Sequence, residues 1–410
     1  MVTYACMSRS IAISGVGVVS PLGATRETFC EGLLAGRSGI APIRAFDVAE
    51  CRTTVAASVT GFEATQWIPP MKLRRMDDTA RYAVVVTRMA FEDAHYPLSD
   101  AGDDRAGVVM GTFTAGGQAT SEYLTALHRG GPTGAPALLF NSTVGNAPAS
   151  LAGLEFKLRG PNVTVSQKES SGLGAIVTAV DTIRLDRARA LAAGGVDAVF
   201  EIFFRVHDRF GVMATAVTPA GPFDAMRQGF VLGEGGFALL LEGPDTSASR
   251  SGTGYGEVLG VAASSAAVGI NQWPVDPAPI VRTLRAAIAD AGLSPAEIDV
   301  VYASANASPA LDRVEAQALV GCFGAHRPVV TAIKGALGEC GASGAAACAA
   351  AVLCGRAGYV PPIAGLADPD PVAAPLDLAR VKRQMPGPMV LVNSVGSGGS
   401  LFAAVIRVAT

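Results

Sequence analysis

The residue best placed to do chemistry is a carboxylate between a strand and a helix, in the stretch GPNVTVSQKESSGLGAIVTAVDTI at positions 160–183. Asn162 to Val165 alternates and is β-branched, which suits a short strand. Apolar residues then recur at Leu173, Ile176, Val177 and Val180, the spacing of a helix with a buried face. A sharp turn between such elements aims a side chain at the positive end of the helix, where an anion is stabilised. The aimed side chain is Glu169. One reading makes Ser166-Gln167-Lys168-Glu169 a capping box, with Glu169 as its N3 carboxylate. The other leaves Glu169 a residual chemical role.

Other reactive residue types form no constellation. The seven cysteines, at 6, 30, 51, 322, 340, 348 and 354, show no CxxC pair and read as reduced, mostly buried thiols. His95, His128, His207 and His326 are far apart, so no zinc spacing is present and no metal site is expected. Gly15-x-Gly17 lacks the third glycine of a dinucleotide loop and meets Pro21, so it reads as close backbone packing.

The elements that must hold Glu169 belong to a well-packed chain. Of 410 residues, 50% are apolar and 16% charged, which points to one large core or two moderate ones. A net charge of −3 with no long basic run argues against a nucleic-acid partner. The N-terminus has no signal-peptide core, and the run from Ala342 to Cys354 is too short and Ala-rich to span a bilayer. No membrane association and a cytoplasmic location are expected.

In chain order, a strand and Gly-rich turn within 11–22 lead to a helix at 25–35, a long amphipathic helix at 77–95 and a buried strand at 105–111. A helix opens at Gly116-Gly117 and ends near Pro132; a strand follows at 189–198 and another within 223–242. The Ser/Gly/Thr-rich segment 246–254 is linker-like. A second cycle runs from a strand at 256–263 through a helix at 279–292, strands at 298–303 and 329–333, a small-residue helix at 341–353, and closing strands at 389–394 and 401–408. MAFEDAHYPLSD…RAGVVMG echoes RAAIADAGLSPAEIDVVYAS, and the helices after Glu169 and Glu339 match in place. The economical architecture is a duplicated α/β unit with buried central helices, divided into halves at 1–250 and 251–410 that form one compact body.

Six words in order carry a resemblance along essentially the whole chain: ISGVGVVSPLG (13–23), LLAGRSGI (33–40), LRGPNVTV (158–165), FDAMRQGFVLGEGG (223–236), IKGALGECGASGAAA (333–347) and NSVGSGGS (393–400). The chain resembles the β-ketoacyl synthases of the thiolase fold. That resemblance implies a duplicated five-layer α-β-α-β-α arrangement. Active members use a Cys at the elbow to take the acyl group and two His residues to stabilise an oxyanion during decarboxylation. Carried over by position, the Cys slot holds Glu169, the first His slot Ser304 and the second Glu339. The site is therefore expected to be catalytically degenerate. Lys334 and Glu315 match a family Lys and Glu and are expected to form a buried ion pair that fixes the site wall. With Glu339 beside them, one carboxylate is expected to hold a proton at neutral pH. Ser397 stands where a gating Phe is common, and Cys340 reads as a packing residue.

This pattern is most similar to the chain-length factor, or ketosynthase β subunit, of type II polyketide synthases, many of which carry Gln where this chain has Glu169. The resemblance implies a heterodimer with an active ketosynthase α subunit. It also implies acyl chains delivered to that partner on phosphopantetheine by an acyl carrier protein, and no bound cofactor here. Phe113, Gln118, Phe140, Asn141, Thr143 and Val144 are the candidates for lining the partner's tunnel. Few of them are bulky, so a long or linear product is expected. Two alternatives remain: a malonyl-acyl-carrier decarboxylase or priming subunit using Glu169, and a homodimeric acyl-chain binding protein.

Overall fold

A computed structural model describes residues 10–243 and 254–409. Cys6 and all of the linker-like stretch except Gly254 lie outside the described residues. Among the described residues the main sheet has eleven strands. Their spatial order is 377–378, 329–331, 300–302, 389–395, 400–408, 256–265, 11–19, 235–242, 190–197, 106–111 and 162–165.

The register makes the duplication explicit. In the first half, strand Ile11–Val19 runs antiparallel to Gly235–Glu242, which runs antiparallel to Ala190–Asp197. That strand is parallel to Ala106–Gly111, itself parallel to Asn162–Val165. The second half repeats the sequence of pairings: Gly256–Ser265 antiparallel to Ser400–Val408, then Met389–Val395 antiparallel, then Val300–Tyr302 and Val329–Thr331 parallel. Strand Asn162–Val165 thus corresponds to Val329–Thr331. The turns that follow them carry Glu169 and Glu339, so the repeat brings these two acids to equivalent positions.

The halves join where Ile11 to Ile13 pair with Val258 to Gly256. Between them lie two helices, Ser171–Arg184 and Ser343–Arg356, which contact strands of both halves and each other. A helix flanked by sheets on two sides must be apolar or small all round. In Ser343–Arg356 every residue from Ser343 to Val352 is buried. The helices cross backbone to backbone: Gly172 N–H donates to Gly341 O at 2.7 Å, and a Cβ at Gly344 would lie 2.6 Å from Leu173 Cβ. Gly344→Ala should therefore cost about 1–3 kcal/mol of stability by overpacking. Urea unfolding of the purified variant checks this; an unchanged midpoint would mean the crossing has slack. Outer helices cover the other faces: Asp78–Asp93 and Ala147–Glu155 on the first half, Ala278–Asp290 and Pro309–Phe323 on the second.

Three local differences from the sequence reading matter. The capping box at Ser166 does not form. The elbow is instead a short 3-10 turn, Lys168–Ser170, with Lys168 in the left-handed region at φ 51°, and the α-helix begins at Ser171. The turn is held by Ser171, whose hydroxyl oxygen accepts from Gln167 N–H at 2.8 Å. Second, the helix Gly117–Gly134 is kinked at Gly131, with Pro132 inside it, rather than ended there. Third, the helices Glu201–Phe210 and Pro309–Phe323 were not anticipated. No helix among the described residues is long and apolar enough to cross a membrane.

Candidate functional site

The elbow turn, the Lys334–Leu337 turn, the loop after strand Val300–Tyr302 and the glycine loop at 396–399 converge at the ends of the parallel strands. Glu169 is 5% exposed. Its carboxylate accepts from Ser397 N–H at 2.9 Å and from the Ser397 hydroxyl at 2.8 and 3.1 Å. Both of its oxygens are thus engaged by Ser397 of the glycine loop. Ser170 and Ser400 add a hydroxyl–hydroxyl contact at 2.7 Å between the elbow and the glycine loop.

Glu339 forms the second cluster. Lys334 Nζ lies 2.7 Å from its Oε2, with both side chains buried. Asn306 Nδ2 donates to the same oxygen at 2.7 Å, and the Ser343 hydroxyl donates to Oε1 at 3.2 Å. The expected Lys334–Glu315 ion pair is therefore corrected: the lysine's carboxylate partner is Glu339. Glu339 follows Lys334 by five residues across a tight turn ending at Gly338 (φ 71°), so the local chain delivers it to the ammonium first. Glu315 instead accepts from Ser304 N–H at 2.7 Å and Asn393 Nδ2 at 2.5 Å, leaving Oε2 buried without a hydrogen-bond partner. Ser304 sits between the clusters, its hydroxyl accepting from Val395 N–H at 3.0 Å.

The electrostatics follow from burial. Desolvation raises Glu339 to about 7 against the opposing pull of Lys334, and the nearby Glu169 carboxylate adds to the rise. Burial likewise raises Glu315 to about 7. Burial pushes the Cys340 thiol up to about 12, which suits a packing residue and not a nucleophile. The site is therefore acidic and hydrogen-bonded within itself, with carboxylates at 169 and 339 and a hydroxyl at 304.

The tunnel candidates separate into two groups. Phe113 is half-buried beside the elbow, edge-on to Phe203 at 5.1 Å, with Lys168 Nζ 5.5 Å from its ring centroid. The other five lie on the helix Gly117–Gly134 and on the segment 140–144 packed against it. Thr120 donates to Thr143 O at 3.2 Å, which places the helix carrying Gln118 against the turn Phe140–Ser142. Phe140 and Val144 are 57% and 49% exposed, Asn141 is exposed, and Thr143 is half-buried with its hydroxyl on Phe140 O at 2.8 Å.

Sequence reasoning missed Asn306, Asn393 and Asn271, whose contacts arise only from folding. It also missed His207. Its Nδ1 lies 2.9 Å from Phe203 O and must donate, since a carbonyl only accepts, and its ring packs among Phe113, Phe203 and Phe230. A signal was available: Phe200, Phe203, Phe204 and His207 follow helical spacing.

The duplicated strand pairings and the paired central helices define a thiolase fold. The chain belongs to the β-ketoacyl synthase family: residues 8–246 match the N-terminal domain of β-ketoacyl synthase, and residues 255–367 the C-terminal domain. It is 31% identical to the tetracenomycin polyketide synthase ketoacyl synthase beta subunit of Streptomyces glaucescens, over 97% of this chain and 98% of that one. It is 29% identical to 3-oxoacyl-[acyl-carrier-protein] synthase 2 of Synechocystis sp., covering 95% of this chain and 96% of that one. The solved ishigamide ketosynthase/chain length factor matches with a TM-score of 0.91 at 30% identity, covering 98% of this chain and all of that one.

Proposed function

We propose that this chain is a catalytically degenerate ketosynthase β subunit, a chain-length factor. In this reading it pairs in the cytoplasm with an active ketosynthase α subunit of a type II polyketide synthase and helps set the length of the acyl chain that an acyl carrier protein delivers to that partner. The observation that carries the reading is a buried carboxylate, Glu169, locked by Ser397 at the elbow, the position that the resemblance assigns to an acyl-accepting thiol. A carboxylate there forms no stable thioester-exchange product. Glu339, engaged by Lys334 and Asn306, is likewise no substitute for an imidazole.

A surface for a second subunit supports the pairing. Among the described residues strand Asn162–Val165 ends the sheet, with no strand paired to its outer edge. The neighbouring turn and helices expose Leu124, Leu138, Phe140, Val144 and Leu154. The decarboxylase alternative is less favoured because both oxygens of Glu169 are already committed. A homodimer would leave the same degenerate site twice.

The test is co-expression with the ketosynthase that carries an intact Cys and two His. A one-to-one complex that makes polyketide, and a lone chain that extends no acyl thioester, are the expected results. Within that complex, Thr143→Trp should shorten the product by at least one extension unit, read by mass spectrometry. Unchanged product length would count against Thr143 as part of the tunnel, and extension by the chain alone would overturn the assignment.

A further inference from the structure

The residue preceding Glu169 makes contacts that the loss of a nucleophile does not explain. Lys168 Nζ donates to the Ser397 hydroxyl oxygen at 2.9 Å and also to Asn271 Oδ1. The Ser397 hydroxyl spends its one proton on Glu169, so it must accept from the ammonium. A single cation therefore ties three separate segments together: the elbow, the glycine loop, and the loop 266–277 that links strand Gly256–Ser265 to helix Ala278–Asp290.

Burial gives these contacts an order. Asn271 is exposed, Lys168 half-buried, and Ser397 and Glu169 buried. From solvent inward, the sequence is Asn271, Lys168, Ser397, Glu169. The backbone reinforces the closure: Gly398 N–H donates to Gln272 O at 2.9 Å, and Ala266 N–H to Gly399 O at 2.8 Å. Lys168, Ala267 and Asn271 all hold left-handed φ values, 51°, 51° and 62°. Non-glycine residues keep such conformations where the surroundings over-determine them.

We propose that Lys168 is a specificity-determining residue in its own right: its ammonium holds the 266–277 loop and the glycine loop over the elbow and shuts position 169 off from an incoming thiol-reactive or thioester-bearing group. The site then carries two independent blocks. Restoring a nucleophile alone leaves it closed.

The experiment compares Glu169→Cys with Lys168→Ala/Glu169→Cys, using iodoacetamide and following the peptide that contains residue 169 by mass spectrometry. In the reaction the sulfur displaces iodide from carbon and the thiol proton goes to water. The double variant should be alkylated about tenfold faster or more, the population shift expected when the two charge-assisted hydrogen bonds of a half-buried ammonium are lost. Electrostatics alone predicts the opposite, because an adjacent ammonium favours the thiolate and its removal slows the reaction. Lys168→Arg/Glu169→Cys should stay slow. Cys322 and Cys348, both buried, report unfolding if they react in step. If the double variant does not fold, Lys168→Ala alone should raise hydrogen exchange across 266–277 in the otherwise native protein. Equal alkylation rates in folded variants, or unchanged exchange, would overturn the proposal. None of these readouts depends on a partner subunit or on product length.

Discussion

Lys334→Met is expected to destabilise the protein by about 3–5 kcal/mol, because it leaves Glu339 as a buried carboxylate without its counter-charge. The Lys334 side chain is 5% exposed and that of Glu339 3%, so water cannot replace the lost partner. The remaining donors, Asn306 and Ser343, are neutral and cannot offset the desolvation of a full charge. Glu339 escapes by taking a proton, which makes the penalty pH-dependent. Removing the lysine raises the acid's pKa further, so the cost should grow from pH 5 to pH 8. Adding Glu339→Gln to Lys334→Met should recover most of the loss, since the buried charge is then gone. Urea unfolding of the two variants at both pH values is the measurement. A pH-independent loss below about 1 kcal/mol would show that the pair is solvated.

Glu315→Gln is expected to flatten the pH dependence of stability. In the folded protein Glu315 is raised to about 7, above the ordinary carboxylate value, with burial as the main cause. The folded state therefore holds this proton more tightly than the unfolded state. The resulting stabilisation is fully present below the unfolded pKa, is lost as pH rises through about 7, and stays lost above it. Glu339 acts with the same sign. The wild-type chain should accordingly lose stability between pH 4.5 and 7 from these groups, on the order of 1–3 kcal/mol from Glu315. Gln keeps the oxygen that accepts from Ser304 and Asn393 and has no charge to titrate. The variant's urea midpoint should fall less across that range than the wild type's. Parallel midpoint curves would mean that Glu315 does not change protonation there.

Most of the scaffold was legible before the structure. The two-residue alternation of strand Asn162–Val165 and the helical period of Leu173, Ile176, Val177 and Val180 are local properties, and the elements formed close to those bounds. The repeat was legible because each half must cover one side of the same central helices. Equal tasks produced similar small-residue patterns after Glu169 and Glu339. The helix Glu201–Phe210 is readable in principle from its aromatic spacing.

The chain's own order of residues also determined which side chains the converging loops carry: a carboxylate at 169, no imidazole at 304 or 339, a lysine at 334. Only the tertiary structure decided what those charges touch. The local period at 166–169 suits a capping box, yet Glu169 turns to Ser397, 228 residues away in the chain. The resemblance assigned Lys334 to Glu315, but the tight turn at Gly338 sets Glu339 against its ammonium. Backbone propensity acts over a few residues and leaves a strong trace in sequence. Pairing among buried charges is settled by which groups the packed sheets bring within about 3 Å, where desolvation makes every alternative costly.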